Sequence, residues 1–170
     1  MRVIDTEFAT DFVARWTAAW NSHEPGRLLA LMTDDVVYDD SAAPAVMHGH
    51  ADVRTFLEQT WRALPDLEFR LVDGPLVEPG GKACIRWSGT ATFAGPLEPP
   101  GYAPNGARVE FDGFDLYEYR DGLVCRLRTV YDMMDLARQL KLFPPQGGRF
   151  ETVTAALQRL GVRLKKPKRV

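Results

Sequence analysis

An α+β fold is predicted by a change of apolar period along the chain and by where the turn residues fall. Up to Trp61 the apolar residues recur at helical spacing; from Leu67 to Tyr131 they alternate as strands do. Helices first and strands after imply a curved antiparallel sheet packed on three N-terminal helices. A conical space between the two layers would then suit a small molecule.

The first helix is read over residues 6–21, where Phe8, Phe12, Trp16 and Trp20 form one aromatic stripe. Asp5 or Thr6 can cap its start. Pro25 suits the first turn of a second helix that runs through Leu28, Leu29 and Met32. Val36-Val37-Tyr38 reads as a short strand. A loop with Pro44 and Gly49 leads to a third helix presenting Val53, Phe56, Leu57, Thr60 and Trp61. Four long strands follow, at 67–77, 82–93, 108–119 and 123–131. Gly80-Gly81 and Asp121-Gly122 mark two of the turns, since such turns need positive φ. The third connection, 95–106, is long and rich in Pro and Gly, as lids over pockets often are. A short helix is expected at 133–142. After the breaks at Pro144-Pro145 and Gly147-Gly148, a last amphipathic helix carries Val153, Ala156, Leu157 and Leu160 and ends near Gly161. Residues 1–142 thus make one α+β domain and 143–170 a C-terminal helical extension.

The chain has 170 residues and a net charge of −2, which argues against broad nucleic-acid binding. No apolar run approaches the roughly 20 residues that span a bilayer. The N-terminus shows no basic segment followed by an apolar one, so a cytoplasmic protein is expected. Cys84 and Cys125 read as small buried hydrophobes in a reducing compartment. Charge is uneven: residues 149–170 carry seven Lys or Arg against the single acid Glu151. A solvated basic end is the ordinary reading of such a tail.

Asp132 is the foremost chemical candidate. It ends the last long strand just before the short helix, where a carboxylate can point between sheet and helices. Asp115, in Phe114-Asp115-Leu116, and Asp40, after the first strand, are possible partners. Each has a plain structural alternative, as a buried ion pair or a turn residue. Arg86 could orient Asp132 or hold an enolate. Trp16, Tyr38, Trp87, Phe93, Tyr117 and Tyr131 are candidates to line a pocket, and His48 is a further substrate-binding candidate. His48-Gly49-His50 supplies too few ligands for a metal site. No metal and no cofactor is expected.

The chain resembles the SnoaL-like polyketide cyclases of the nuclear-transport-factor-2-like superfamily. The resemblance rests on Trp20-Asn21-Ser22-His23, Thr33 to Tyr38, Gly49, Pro65-Asp66-Leu67, Trp87-Ser88-Gly89-Thr90, Asp121-Gly122, Tyr131-Asp132 and Gln139-Leu140. It covers about residues 6–142 and implies a cystatin-like α+β barrel. In such cyclases an aspartate at the Asp132 position is the general acid/base on a β-keto ester; several also carry a histidine where this chain has Ala91. The ketosteroid isomerases of the superfamily use two aspartates, matched by Asp40 and Asp115, and a tyrosine where this chain has Trp16. In limonene epoxide hydrolase an Arg-x-Asp works with the strand-end aspartate; here the tripeptide is Arg86-Trp87-Ser88.

The resemblance therefore implies a cofactor-free enzyme acting by proton transfer on an apolar, carbonyl-bearing small molecule, as an aldol-type cyclase or an isomerase. A binding or association module without catalysis, or an epoxide hydrolase, remains the alternative. A homodimer is expected in either case, with no nucleic acid and no membrane as partner.

Overall fold

The computed structural model describes residues 4–78, 80–144 and 147–164. Helix α1 (Thr6–Asn21) starts where Asp5 accepts the Phe8 N–H at 2.8 Å. Its aromatic stripe is buried: Phe12 and Trp16 meet Tyr117 edge-on, and Phe8 meets Tyr119 the same way. Helix α2 (Pro25–Leu29) is shorter than its apolar spacing predicts. Met32 instead opens strand β1 (Met32–Asp40), because the Leu31 carbonyl accepts the Val124 N–H from another strand. The two-residue strand β2 (Met47–His48) follows, then helix α3 (Gly49–Ala63).

Strands β3 (Glu68–Glu78), β4 (Lys82–Thr92), β5 (Arg108–Arg120) and β6 (Leu123–Tyr131) complete one six-stranded sheet of order β2-β1-β6-β5-β4-β3. The Asp121-Gly122 turn has φ of 54° and 87° and closes the β5–β6 hairpin. Two features depart from the expected antiparallel barrel. Strand β1 pairs with β6 in parallel, because α3 carries the chain from β2 at one edge of the sheet to β3 at the other, and the β3–β6 meander then returns to β1. The sheet also stays open, with β2 and β3 as its edges.

The inner sheet face and α1–α3 enclose the core. Asn21 fastens the end of α1 to β3, accepting the Phe69 N–H and donating to the Phe69 carbonyl. Helix α4 (Met133–Gln139) lies across one end of the sheet. The Gln139 side chain exchanges two hydrogen bonds with the Glu110 backbone, and Asn105 of the 95–106 loop donates to the Leu140 carbonyl. Helix α5 (Arg149–Leu164) continues past Gly161 and leaves Val153, Leu157 and Leu160 exposed. Residues 165–170, with most of the basic tail, lie outside the described residues. Among the described residues no helix is long and apolar enough to cross a membrane.

Candidate active site

Strand parity builds the site. On β1 the inward positions are Val36, Tyr38 and Asp40; on β5 they include Gly113, Asp115 and Tyr117; on β6 they are Leu127, Thr129 and Tyr131. On β4 they are Ala83, Ile85, Trp87, Gly89 and Ala91. The register brings Asp115 opposite Thr129, and Asp40 opposite Thr129 on the other side. Asp40 and Asp115 therefore sit on one floor, separated by a single strand.

That floor closes a cavity between the sheet and α1, α3 and α4. Among the described residues nine aromatic ones line it, including Trp16, Tyr38, Trp87, Phe93 and Tyr131. Asp40, Asp115 and Thr129 are its polar floor, and among the described residues no Lys, Arg or His lines it. Tyr117 lies directly behind Asp115 rather than at the cavity wall.

Asp115 is 5% exposed and accepts three hydrogen bonds from neutral donors. The Trp87 indole N–H donates at 2.9 Å and the Thr129 hydroxyl at 2.8 Å, both to Oδ1; the Tyr117 phenol donates to Oδ2 at 2.8 Å. Burial pushes the Asp115 carboxyl up to about 6, against the opposing pull of those three donors. Trp87 reaches Asp115 only because its partner in the register is Gly113. A Cβ at 113 would stand 2.2 Å from the Trp87 ring, so the indole takes the space that a side chain there would need.

Asp40 is 6% exposed. It accepts from the Tyr38 phenol at 2.9 Å, the Tyr131 phenol at 2.9 Å and the Ala42 N–H at 2.8 Å. Burial raises its pKa as well, again opposed by those donors. Burial also lifts the Tyr38, Tyr117 and Tyr131 phenols well above their ordinary range, so they keep their protons and act as donors at neutral pH. The Thr129 hydroxyl also lies 3.4 Å from the Tyr38 phenol oxygen. One chain of hydroxyls thus links the two carboxyl groups.

Three sequence candidates are not brought to this cavity. Asp132 follows the inward Tyr131, so the pleat turns it outward. It is exposed and caps α4, where its Oδ1 accepts the Met134 and Asp135 N–H groups at 2.9 Å. Arg86 falls between the inward Ile85 and Trp87. It points from the outer sheet face and pairs with Asp112, so it neither orients Asp132 nor reaches an enolate in the cavity. His48 is exposed at the start of α3, and its backbone N–H donates to Asp52. The epoxide-hydrolase pairing of Arg86 with Asp132 is therefore not assembled. Thr129 is the site residue that sequence reading missed, although it shares the parity of Leu127 and Tyr131. Among the described residues no group of three or more His, Cys, Asp or Glu is placed to hold a metal ion.

The fold is shared widely among solved structures. AclR of Streptomyces galilaeus superposes with a TM-score of 0.71 at 21% identity, over 95% of this chain and 99% of its own. TsrD of Streptomyces laurentii gives 0.68 at 26% identity, over 81% and 97%. IdmH of Streptomyces antibioticus gives 0.63 at 22% identity, over 78% and 97%. No curated protein matches the sequence. The family model of the SnoaL-like polyketide cyclases matches residues 10–140. With that match over most of its length, and with the open sheet and helix-covered cavity described above, the chain belongs to the SnoaL-like polyketide cyclase family.

Proposed function

We propose that this protein is an enzyme using Asp40 and Asp115 for acid–base chemistry on an apolar, carbonyl-bearing small molecule. The observation that carries the reading is the pair of buried carboxyl groups on the floor of one aromatic cavity that, among the described residues, no cationic side chain lines. An uncompensated buried carboxyl holds its proton toward neutral pH, which suits an acid or base working there.

Asp40, ionised, takes a proton from the carbon beside a carbonyl. Asp115, protonated, donates to the oxygen on which negative charge develops. In an aldol closure the resulting enolic carbon attacks a second carbonyl: one carbon–carbon bond forms and the new alkoxide takes the Asp115 proton. In an isomerisation Asp40 returns its proton to a different carbon. The aromatic walls supply the apolar, flat surroundings that such substrates need. A cytoplasmic location belongs to the same reading. So does a homodimer: Leu76 on β3, Phe114 and Leu116 on β5 and Val130 on β6 are exposed, and we assign them to pairing with a second copy. Light scattering at micromolar concentration should give twice the chain mass; the monomer mass alone would refute the dimer.

The test is turnover of a panel of β-keto esters and β,γ-unsaturated ketones, followed by mass spectrometry and ultraviolet absorbance. Wild type should convert one class. Asp115→Asn should lose about 10²–10⁴-fold in rate, the usual contribution of a positioned acid or base. A converted substrate whose rate is unchanged in both Asp115→Asn and Asp40→Asn would end the reading. One placement favours a binding module instead: the strand-end aspartate that the cyclase resemblance makes catalytic lies outside the cavity. That alternative predicts no turnover, with the same ligands bound by wild type and both variants.

A further inference from the structure

We propose that Thr129 is a positioning residue that links Asp40 and Asp115 into one proton-sharing unit, through the Tyr38 phenol. The inference rests on the acid–base reading above and deepens it.

Thr129 has a single hydroxyl proton and two neighbours that can accept it. Its oxygen is 2.8 Å from Asp115 Oδ1 and 3.4 Å from the Tyr38 oxygen, and Tyr38 in turn lies 2.9 Å from Asp40 Oδ2. Suppose the pair holds one proton. With the proton on Asp40, that acid donates to Tyr38, Tyr38 to Thr129, and Thr129 to the ionised Asp115. With the proton on Asp115, that acid donates to Thr129, Thr129 to Tyr38, and Tyr38 to the ionised Asp40. Every oxygen in the chain is satisfied in both arrangements. Passing between them breaks three O–H bonds and forms three, with no net gain or loss of protons.

This exchange does something the aldol closure needs. One closure moves the carbon's proton onto Asp40 and the Asp115 proton onto the product oxygen. The pair is left inverted, with Asp40 protonated and Asp115 ionised. The Tyr38–Thr129 chain restores it from inside the cavity, without bulk water entering. The other groups facing the pair do not offer that path. Around Asp115 they are Tyr117, Trp87, Tyr119 and Cys84; the first two hydrogen-bond to Asp115, whereas Asp40 takes its hydrogen bonds from Tyr38, Tyr131 and the Ala42 N–H. Around Asp40 they are Tyr131 and Asp39, and Asp39 is paired outward with Arg128 at 3.1 Å.

Three variants test the link: Thr129→Val, which keeps the shape and removes the hydroxyl; Thr129→Ser, which restores it; and Tyr38→Phe, which cuts the other joint. The first readout needs no substrate. With carboxyl-labelled aspartate, carbon-13 spectra across pH should show the Asp115 titration step mirrored in the Asp40 signal of wild type and Thr129→Ser. In Thr129→Val and Tyr38→Phe the mirrored step should shrink by about half or more, leaving the through-space interaction alone. An unchanged mirrored step in both cut variants overturns the proposal. If Thr129→Val does not fold, Tyr38→Phe decides alone.

The second readout uses a converted aldol substrate. Thr129→Val should lower kcat by about tenfold or more with KM little changed, and Thr129→Ser should recover most of it. In mixtures of light and heavy water, the wild-type rate should bend as several protons move together, and that of Thr129→Val should fall on a line. A wild-type kcat in Thr129→Val, with the same bend, would also overturn the link. If no panel member is converted, the acid–base reading fails while the carbon-13 titration still decides whether the pair is linked.

Discussion

Asp115 and Asp112 lie three residues apart on β5 and face opposite worlds. Asp115 points inward, meets three neutral donors and, among the described residues, has no cation beside it. Asp112 points outward, is half-exposed, and faces the Arg86 guanidinium. Asp40 and Asp39 repeat the contrast on β1: one is held by two phenols inside the cavity, the other by Arg128 outside. On a pleated strand a shift of one or three positions moves a carboxylate between a site where it can hold a proton near neutral pH and a solvated ion pair. Two carboxylates on the outer face have found arginines; the two on the inner face have been left to share phenols, an indole and a hydroxyl.

The sharpest way to break this contrast is to compare neighbours. Asp40→Asn should reduce turnover by about 10²–10⁴-fold, whereas Asp39→Asn should change it only a few-fold, since an exposed pair contributes roughly 1 kcal/mol or less. Steady-state kinetics on a common substrate reads both. Equal losses would mean that strand parity does not select the acting carboxylate.

Next in size is Gly113→Ala. Its methyl group would stand where the Trp87 indole lies, so the ring must move away from Asp115. A loss of about 1–3 kcal/mol in unfolding free energy is expected from such overpacking. A shift in tryptophan fluorescence should accompany it. A variant as stable as wild type, with unaltered fluorescence, would show that the indole is not held against residue 113.

A smaller effect concerns pH and stability. The unfolded Asp115 carboxyl has its ordinary pKa of 3.8 and the folded one about 6, so the folded chain binds this proton more tightly. The sign follows: the favourable contribution of neutral Asp115 is complete below pH 3.8 and is lost as pH rises through about 6. Asp115→Asn removes the ionisation. Its unfolding free energy relative to wild type should therefore improve between pH 4 and pH 7. A difference that stays flat across this range would place the Asp115 carboxyl in the ordinary carboxylate range.

The architecture was largely legible because it is written in local periods. The aromatic stripe of α1 and the alternation of β3 to β6 are properties of short windows, and Asp121-Gly122 carries its own turn geometry. The parallel pairing of β1 with β6 was not legible, since it joins residues some ninety positions apart and no local window contains it. The site divides in the same way. Asp40 and Asp115 were singled out by local spacing within the family resemblance, and both lie at the cavity. Asp132 was misplaced because its position at a strand end outweighed its parity, which is opposite to that of Tyr131, and because a helix start nearby offered its carboxylate two N–H groups. Thr129 carried the right parity and no charge, so nothing local singled it out. Its importance lies in standing between Asp40 and Asp115 across two strand pairings. The seat of Trp87 on Gly113 depends on the β4–β5 register in the same manner.

On the proposed mechanism the inward carboxyl groups move the proton and the strand-end carboxylate does not. Turnover of one converted substrate by wild type, Asp115→Asn and Asp132→Asn tests it most directly. Asn caps a helix about as well as Asp, so the Asp132 variant should fold normally. Asp132→Asn should keep its rate within a few-fold while Asp115→Asn loses about two orders of magnitude or more. A collapse of activity in Asp132→Asn, with Asp115→Asn unimpaired, would contradict it.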